Sequence, residues 1–451
     1  MIINSNKFLV LGVSKSGFSA SSYLLSKGAV CYIYEQNELH KIKEKKDELI
    51  SKGAIFLSND NVDETLKYVD VIIISPGVPI NHEIAIKAKN LGKRIISEVE
   101  FGFFCAFPQI IAVTGTNGKT TTVSLIDSVF SESGKKTLLL GNVGCPVCDR
   151  IDEIDRSTYC VTEISSYQME STCNLRPDVA CVLNISPDHL ERHYSMENYI
   201  FLKRRLLANL TESEYAVLNY DDQIVRDFNK STKAKIIYVS ANEEVDGAYK
   251  KDGALYYKNS KILEINQLRL QGLHNEYNAL FAIAVAKLYG INDQIISNSL
   301  ANFKGIPHRI QLISEKNGIN VYNDSKATNT TSTISAIKCM KGGTVLVLGG
   351  SNKGEDYSNL FNEIKNSKIK HIVLTGETKK DMLNCAIKVG LENFTSTKNF
   401  DEAIKYAYMI CNQGENLLFS PACASFDRFS GFEERGNYFT KLIGELSCKE
   451  S

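Results

Sequence analysis

Residues 110–122, IIAVTGTNGKTTT, decide how the fold of this chain is interpreted. An apolar run, residues 110–113, leads into a loop with Gly115 and Gly118, and Lys119 and Thr120 then open a predicted helix. The glycines let the backbone curl so that its N–H groups converge, and the helix N-terminus adds partial positive charge. Lys119 would meet the β and γ phosphates of a nucleotide, and the Thr120 hydroxyl would ligate Mg²⁺. The stretch predicts a phosphate-binding loop.

The pattern of this loop is incomplete. Val113 stands where the usual Gly-x-x-x-x-Gly-Lys motif has its first glycine. An ordinary strand-to-helix turn is the alternative interpretation. We favour the phosphate loop because Gly-Lys-Thr lies at a helix start directly after a buried strand.

Short apolar runs recur along the chain, with helical spacing of apolar residues between many of them. Unalternating runs rich in Val and Ile are typical of strands covered on both faces, and their alternation with helices predicts parallel sheets in an α/β fold. The runs are residues 8–11, 71–74, 110–113, 137–140, 179–183, 345–348, 372–374 and 417–419. Residues 248–265 differ, because turns at Asp252–Gly253 and Asn259–Ser260 separate alternating runs and so predict an antiparallel meander.

The length of 451 residues indicates about three domains. Ile95 and Ile96 are followed by acidic residues and an aromatic stretch, and Gly305 and Pro307 interrupt the chain after a long predicted helix. We therefore predict a Rossmann-like domain over residues 1–97 and a central P-loop ATPase-like sheet domain over residues 98–304. Residues 305–451 would form a C-terminal Rossmann-like α/β domain.

Composition excludes several classes of function. The chain has 52 Lys plus Arg against 52 Asp plus Glu, so it lacks the basic field that nucleic acid binding needs. No run of about 18 apolar residues predicts a membrane-spanning helix. Twelve scattered cysteines and the lack of a signal-type leader lead us to expect reduced thiols and a cytoplasmic location. We expect Cys145 and Cys148 to be structural thiols rather than a metal or redox pair.

The N-terminal turn carries a weaker signal. Gly12, Ser14 and Gly17 are similar to a dinucleotide fingerprint with Ser at the position where the pyrophosphate approaches, and Glu35 lies where a ribose-binding acid would sit. This turn has two possible interpretations of equal weight: it binds a nucleotide, or it is a tight turn that lets a helix pack closely.

Three further residues are candidates by position. Glu163 and His189 lie just after predicted parallel strands, at the sheet edge where α/β proteins place ligands, and both suit Mg²⁺ or Mn²⁺. Lys203 precedes Arg204 and Arg205, and such a charge run is typical of a solvated helix face.

Several motifs in chain order resemble the Mur ligase superfamily, whose members make amide bonds with ATP in peptidoglycan precursors. They are GTNGKT (115–120), EISSYQ (163–168), NISPDH (184–189), GLHNEYN (272–278) and PHR (307–309). The C-terminal segments NDSKATN (323–329), GGSNKGED (349–356) and SPACASFD (420–427) resemble the branch that adds D-glutamate to UDP-N-acetylmuramoyl-L-alanine. The resemblance covers all three predicted domains.

The resemblance implies a carbon–nitrogen ligase that uses ATP and Mg²⁺ (or Mn²⁺) and works through an acyl phosphate. It implies UDP-N-acetylmuramoyl-L-alanine and D-glutamate as substrates, and we expect a cytoplasmic monomer. It assigns the three domains, in chain order, to the UDP-substrate, to ATP and to the amino acid. A sister Mur ligase, or an enzyme like folylpolyglutamate synthase with another amino acid, is the alternative. A nicotinamide oxidoreductase and a non-catalytic nucleotide-binding module are rivals from other classes.

The resemblance also implies roles for individual residues. For ATP it points to Gly115, Thr116, Asn117, Gly118, Lys119, Thr120, Thr121, Asn275, Asn278, Arg309, Asp324 and Lys326. For the metal it points to Thr120, Glu163, His189 and Lys203, the last as a carbamylated lysine, and it makes Lys119, His189 and Lys203 the catalytic set. For the UDP-substrate it points to Ser14, Lys15, Ser16, Glu35, Gln36, Ser75, Pro76, Gly77 and Asn142. For D-glutamate it points to Thr328, Lys353, Ser425 and Phe432.

Overall fold

The computed structural model describes residues 3, 6–36, 42–270, 272–351 and 355–449 of the chain. Within them the chain forms three sheets and divides into two compact units, residues 1–303 and residues 304–451. Each unit is described by itself below. The predicted α/β class with mainly parallel sheets is confirmed.

The first sheet lies at the start of the first unit and is parallel throughout, in the order β3-β2-β1-β4-β5. Its strands are β1 (Lys7–Leu11), β2 (Val30–Tyr34), β3 (Ile55–Phe56), β4 (Val71–Ile74) and β5 (Arg94–Ser97). Its helices are α1 (Lys15–Ser26), α2 (Lys43–Ser51), α3 (Asn59–Leu66), α4 (Glu83–Asn90) and α5 (Glu98–Ala106).

The second sheet has nine strands in the order β14-β13-β12-β11-β10-β9-β6-β8-β7. Its strands are β6 (Gln109–Thr114), β7 (Thr137–Gly141), β8 (Tyr159–Glu163), β9 (Val179–Val182), β10 (Tyr215–Asn219), β11 (Lys235–Ser240), β12 (Gly247–Lys251), β13 (Ala254–Tyr257) and β14 (Ser260–Glu264). Its helices are α6 (Lys119–Glu132), α7 (Ser166–Met169), α8 (Leu190–His193), α9 (Met196–Arg204), α10 (Gln223–Arg226), α11 (Leu273–Leu288) and α12 (Asp293–Asn302).

Strand β6 shows why the unalternating runs predicted buried strands. Ile111 and Val113 pack into a core on one face of the sheet, and Ile110 and Ala112 pack into a second core on the other face. Because successive side chains of a strand point to opposite faces, a strand covered twice must be apolar at every position.

The predicted meander at residues 248–265 is confirmed, since β12 pairs antiparallel with β13 and β13 with β14. The first turn is Asp252–Gly253, as expected, and both residues have positive φ. The second turn was predicted one residue too late: Tyr257 pairs with Ser260, so Lys258 and Asn259 make the turn, with Lys258 at φ 51°. The hydrophobic pattern fixes the strands, but a two-residue turn also depends on the bulge within the hairpin.

The second unit holds the third sheet, in the order β15-β16-β20-β17-β18-β19, where only β15 runs antiparallel to its neighbour. Its strands are β15 (Gln311–Lys316), β16 (Ile319–Asn323), β17 (Thr344–Leu348), β18 (Ile369–Leu374), β19 (Phe394–Ser396) and β20 (Asn416–Phe419). Its helices are α13 (Thr330–Cys339), α14 (Ser358–Lys365), α15 (Lys379–Lys388), α16 (Phe400–Met409) and α17 (Phe432–Lys449).

Candidate active site

The loop after β6 lies at the centre of the candidate site. In the second sheet β6 is flanked by β8 and β9, all parallel, so the segments that follow these three strands meet at one edge of the sheet. Gly115 lies in the first segment, Glu163 is the last residue of β8, directly before the second, and His189 lies in the third. The topology therefore explains why residues far apart in sequence lie together.

The loop between β6 and α6 is tightly curled. Gly118 has a φ of 86°, and a Cβ atom at this position would lie 2.5 Å from Asn278 Oδ1. Lys119 turns back over the loop, where its Nζ donates to the carbonyl oxygens of Gly115 (2.9 Å) and Thr116 (2.7 Å). A curled backbone with an ammonium above it at a helix N-terminus is suited to bind phosphate.

Residues after β9 hold the loop in this shape. The Asn184 side chain accepts a hydrogen bond from the Asn117 N–H (2.8 Å) and donates one to the Asn117 carbonyl (3.0 Å). The Thr116 hydroxyl lies 3.1 Å from the Ser186 carbonyl and 3.1 Å from the Tyr199 hydroxyl. Thr121, the remaining predicted ATP residue of this stretch, is buried in the first turn of α6. Hydrogen bonds to residues outside the loop therefore fix its curled backbone.

Lys203 lies inside the protein and not on a solvated face. Its side chain is 1% exposed, and its Nζ donates to the Gly115 carbonyl (2.7 Å) and lies 4.7 Å from the centre of the Tyr199 ring. Burial, and then the positive charge of Lys119, lower the pKa of Lys203 to about 7. The solvated interpretation of the charge run is wrong for Lys203, because this residue is on the inward side of α9, whereas Arg204 is exposed.

Glu163 is the buried carboxylate of the site, with 2% exposure. One oxygen accepts from the Thr120 hydroxyl (2.8 Å) and the other from the Asn142 amide (2.7 Å). A carboxylate and a hydroxyl in contact are hard oxygen ligands of the kind that Mg²⁺ takes beside substrate phosphates. The pair therefore fits the expected metal. In the part of the chain that the structure describes, this site included, no three His, Cys, Asp or Glu side chains lie together as a metal site. Oxygens of the substrates would therefore have to supply further ligands.

His189 directly precedes the short helix α8 and caps it with a left-handed backbone, at φ 52°. Its Nδ1 lies 3.1 Å from the Tyr167 hydroxyl, and its Nε2 lies 3.4 Å from Asp188 Oδ2. The imidazole is partly exposed, so it can reach a ligand. The side chain of His189 thus contacts Tyr167 and residues of its own turn.

The predicted adenine residues lie on α11. Asn278 is buried and accepts from the Thr122 hydroxyl (3.1 Å), while its amide donates to Asn275 (3.2 Å). Asn278 also lies against Gly118, so α11 supports the phosphate loop directly.

The predicted UDP-substrate residues lie at the carboxyl ends of β1, β2 and β4 in the first sheet, except Asn142, which follows β7 in the second sheet. Glu35 accepts from the Val13 N–H (2.7 Å), and Ser75 donates to the Gly12 carbonyl (2.8 Å). A Cβ atom on Gly17 would lie 1.9 Å from the Gly12 oxygen, so this glycine is needed for close packing of α1 on the turn.

The other residues of this set have their own contacts. Lys15 donates to the Gly144 carbonyl (2.9 Å), and Gln36 contacts Tyr34 (3.1 Å) and His82 (2.9 Å). Ser14 and Gly77 are exposed, and Ser16 is half-buried. Of the set, Asn142 is the residue that contacts Glu163.

In the second unit, Asp324 and Lys326 follow β16. Burial raises the pKa of Asp324 to about 7, and its oxygens accept from the Ser420 hydroxyl (2.6 Å) and the Ile310 N–H (3.1 Å). Lys326 Nζ lies 5.7 Å from the centre of the Phe432 ring. Arg309 is exposed.

The predicted D-glutamate residues also belong to this unit. Thr328 is half-buried beside Lys326, Ser425 is buried, and Phe432 begins α17. Lys353 lies outside the described residues.

The structure adds three residues that had no role assigned from the sequence, Arg192, Glu170 and His193. Glu170 contacts Arg192 and His193, and both of these lie against Tyr167, which in turn contacts His189. From the sequence alone, Arg192 and Glu170 would be taken for ordinary charged surface residues. Only their burial, 16% and 8% exposure of the side chains, marks them as part of the site.

Three family models match the chain in order. They are the Mur ligase MurD-like N-terminal domain (residues 6–97), the Mur ligase middle domain (113–286) and the Mur ligase glutamate ligase domain (308–423). Proteins named UDP-N-acetylmuramoylalanine–D-glutamate ligase are similar over full length. The one from Thermoanaerobacter sp. strain X514 is 38% identical over 99% of this chain and 100% of its own, and the one from Clostridioides difficile strain 630 is 37% identical over the same shares.

The chain belongs to the Mur ligases, in their D-glutamate ligase family. It is therefore an enzyme that forms carbon–nitrogen bonds.

Solved structures agree in fold with this membership. A MurF from Acinetobacter baumannii superposes with a TM-score of 0.61 at 17% identity, over 99% of this chain and 97% of that one. MurF from Thermotoga maritima, solved in complex with ADP, superposes with a TM-score of 0.56 at 15% identity, over all of both chains. At such identities these Mur ligase structures show the shared fold alone.

No helix of the described residues is both long and apolar enough to cross a bilayer. Every cysteine side chain that the structure describes is a free thiol, Cys145 and Cys148 included.

Proposed function

We propose that this Mur ligase adds D-glutamate to UDP-N-acetylmuramoyl-L-alanine at the expense of ATP, in peptidoglycan precursor synthesis. The observation that carries the proposal is the convergence of Lys119 and Lys203 on the Gly115 carbonyl, beside the Thr120–Glu163 pair. The arrangement brings the ammonium of Lys119 and the hard oxygen ligands of Thr120 and Glu163 to the point where a triphosphate would end. The full-length relatives named as D-glutamate ligases support the choice of amino acid.

The proposed reaction has two steps. The alanyl carboxylate attacks the γ-phosphoryl group of ATP, which gives an acyl phosphate and ADP. The amine of D-glutamate then attacks the acyl carbon, and inorganic phosphate leaves as the amide forms. The ammonium of Lys119 and the amides of its loop would bind the charge that develops on the transferred phosphoryl group. No side-chain nucleophile is required.

Thr120 and Glu163 are proposed to hold Mg²⁺ or Mn²⁺, with His189 and a carbamylated Lys203 as further members of the metal site. The ion, when bound, would neutralise phosphate charge. The Asn142 amide holds the second oxygen of Glu163, so the carboxylate is oriented before any ion binds.

The assignments of single residues to substrates are proposals as well. Asn275 and Asn278 would meet the adenine, and the predicted residues of the first sheet, together with Asn142, would meet the UDP-substrate. In the second unit Arg309, Asp324 and Lys326 would serve ATP, and Thr328, Lys353, Ser425 and Phe432 would serve D-glutamate. The division into residues 1–97, 98–304 and 305–451, a monomeric state and a cytoplasmic location are proposed on the same grounds.

The test is phosphate release with ATP, UDP-N-acetylmuramoyl-L-alanine and a panel of amino acids. We expect release to need both the nucleotide-sugar and D-glutamate, and Lys119→Ala to lower kcat by at least about a hundredfold. Lys230→Ala, a change at an exposed lysine of the same sheet domain, is the matched control and should leave the rate unchanged. Faster release with L-alanine or meso-diaminopimelate than with D-glutamate would refute the proposed specificity.

A further inference from the structure

Arg192, on α8, joins the middle sheet domain to a loop of the first sheet domain. Its guanidinium donates to the carbonyl oxygens of Pro76 (3.4 Å), Gly77 (3.5 Å) and Val78 (3.1 Å). The same group donates to both oxygens of Glu170, over 2.9 and 2.6 Å. One side chain thus binds three successive carbonyls and a carboxylate, which requires the planar fork of arginine.

Two further contacts hold the same loop against the middle domain. The Ile80 N–H donates to Glu170 Oε2 (3.4 Å), and the Asn81 amide donates to the Tyr194 hydroxyl (2.9 Å). Residues 76–81, here called the clamp loop, therefore contact the α7–α8 region at several successive residues.

The other side of Arg192 faces the candidate active site. Its guanidinium lies 5.2 Å from the centre of the Tyr167 ring, and the Tyr167 hydroxyl lies 3.1 Å from His189 Nδ1. Glu170, which binds Arg192, also lies 3.3 Å from the Nδ1 of the buried His193, and the His193 ring packs at a tilt of 42° against the Tyr167 ring. The chain of contacts runs from the clamp loop through Arg192 and Tyr167 to His189 without a gap.

Burial makes these contacts effective. Glu170 is 8% exposed and Arg192 is 16% exposed, so water competes poorly for their hydrogen bonds. Surface ion pairs, by comparison, contribute little.

We propose that Arg192 is a positioning residue: it fixes the clamp loop relative to the His189 turn, and so sets the distance between the part of the enzyme that holds the nucleotide-sugar and the part that meets its reacting carboxylate. The inference rests on the proposed function, because it takes the Ser75–Gly77 turn as a UDP-substrate site. Arg192 itself touches backbone and Glu170, and it acts on the substrate through the loop.

The test compares Arg192→Lys with Arg205→Lys. Arg205 is a matched control because it is also half-buried and donates to backbone carbonyls of the α7 region, Met169 (2.7 Å) and Thr172 (2.7 Å), but not to the clamp loop. The substituted lysine keeps the charge, but it cannot bind three carbonyls and a carboxylate at once.

The first measurement is calorimetric binding of UDP-N-acetylmuramoyl-L-alanine without ATP or metal. We expect Arg192→Lys to raise its Kd about tenfold, and Arg205→Lys to change it by less than about twofold. In steady-state assays the KM for the nucleotide-sugar should rise in parallel, while the KM values for ATP and D-glutamate stay within about twofold. Equal effects of the two variants, or an equal rise of all three KM values, would overturn the proposal.

The second measurement is amide hydrogen exchange at Gly77, Val78, Ile80 and Asn81 in the ligand-free protein. Protection there should fall in Arg192→Lys and stay unchanged in Arg205→Lys, whatever the enzyme's substrate is. If the wild type neither binds the nucleotide-sugar nor releases phosphate, the proposed function fails, and the exchange result still decides whether the clamp exists. Should Arg192→Lys not fold, Asn81→Ala removes the outer contact to Tyr194 and should lower protection of the loop in the same direction. Unchanged protection in the folded variants would overturn the clamp.

Discussion

Lys119 and Lys203 donate to the same atom, the carbonyl oxygen of Gly115, over 2.9 and 2.7 Å. Burial raises the free-energy cost of charging Lys203, and the positive charge of Lys119 raises it further, so the pKa of Lys203 falls to about 7. The site thus lowers the charge of one of its two amines. An anionic ligand beside Lys203 would favour the protonated amine, so its binding and the protonation of Lys203 should be coupled.

The pH dependence of stability should reveal Lys203. In the unfolded chain a lysine titrates near its ordinary pKa of about 10.4, so between about pH 7 and 10 the unfolded state binds more protons than the folded state. The contribution of Lys203 to the free energy of unfolding therefore increases with pH between about pH 7 and 10, by at most about 1.4 kcal/mol per pH unit. The free energy of unfolding in urea, wild type minus Lys203→Met, should increase from pH 7 to 9.5 in CO₂-free buffer. A flat difference would contradict the lowered pKa.

Lys203 should also react with CO₂. An amine with a pKa near 7 is largely neutral at pH 8, and the neutral amine is the form that attacks CO₂ to give a carbamate. With ¹³C-bicarbonate, the wild type should show a carbamate carbon resonance in the NMR spectrum that Lys203→Met lacks. Lys230→Met, at an exposed lysine, should retain the signal. A spectrum in which wild type and Lys203→Met agree would exclude the modification.

The effect of a side chain at Gly118 can be compared with its effect at Gly134, because both glycines have positive φ, 86° and 80°. A Cβ atom at Gly134 would meet nothing within 4 Å, whereas at Gly118 it would lie 2.5 Å from Asn278 Oδ1. Gly134→Ala should cost about 1 kcal/mol from backbone strain alone, and Gly118→Ala about 2–3 kcal/mol together with weaker ATP binding. Thermal unfolding and nucleotide titration measure both effects. Equal losses would mean that Asn278 moves aside freely.

Glu98, at the start of α5, is a second titrating group. It is 2% exposed, one oxygen accepts from the Cys148 N–H (2.7 Å), and Oε2 has no hydrogen-bond partner among the described residues. Burial raises the pKa of Glu98 to about 7, so from about pH 4.5 to 7 the folded state binds more protons and the stability from this group falls as pH rises.

The substitution Glu98→Gln keeps the acceptor for Cys148 and removes the charge. The variant should match the wild type near pH 4.5 and exceed it at pH 8 by up to about 3 kcal/mol in urea unfolding. Glu83→Gln, at an exposed position of α4, should show no such pH-dependent gain. A Glu98→Gln variant that is less stable than wild type at pH 8 would show that the ionised carboxylate is stabilised in the fold.

Glu163 should set the metal requirement. Its two oxygens bind Thr120 and Asn142, and an amide in its place would retain the shape but lose the charge that a divalent cation needs. Glu163→Gln should raise the Mg²⁺ concentration for half-maximal phosphate release at least about tenfold. Glu132→Gln, at the exposed end of α6, is the control. An unchanged Mg²⁺ requirement would remove Glu163 from the metal site.

The sequence predicted the features that depend on local chemistry. The β6–α6 loop could be found because glycines, a lysine and a threonine must stand at fixed spacing to curl a backbone around phosphate. The α/β class could be found because strands covered on both faces are apolar throughout.

Features that depend on tertiary packing could not be predicted from the sequence. Lys203 and Glu98 are typical surface residues by type, and only the packing of α9 and α5 buries them. Arg192 gave no signal, since its partners at residues 76–78 and 170 are distant in sequence. The second turn of the meander was predicted one residue too late, because the sequence does not show the bulge that shifts the register within the hairpin.

The nine-stranded sheet separates this same turn from the phosphate loop. Five strand-to-strand steps lie between β13 and β6, which amounts to roughly 24 Å at the usual spacing of about 4.8 Å. A fluorophore or surface tether attached at Asn259 would therefore lie well away from the loop that holds Lys119. This hairpin is thus a suitable attachment point for single-molecule measurements on the working enzyme.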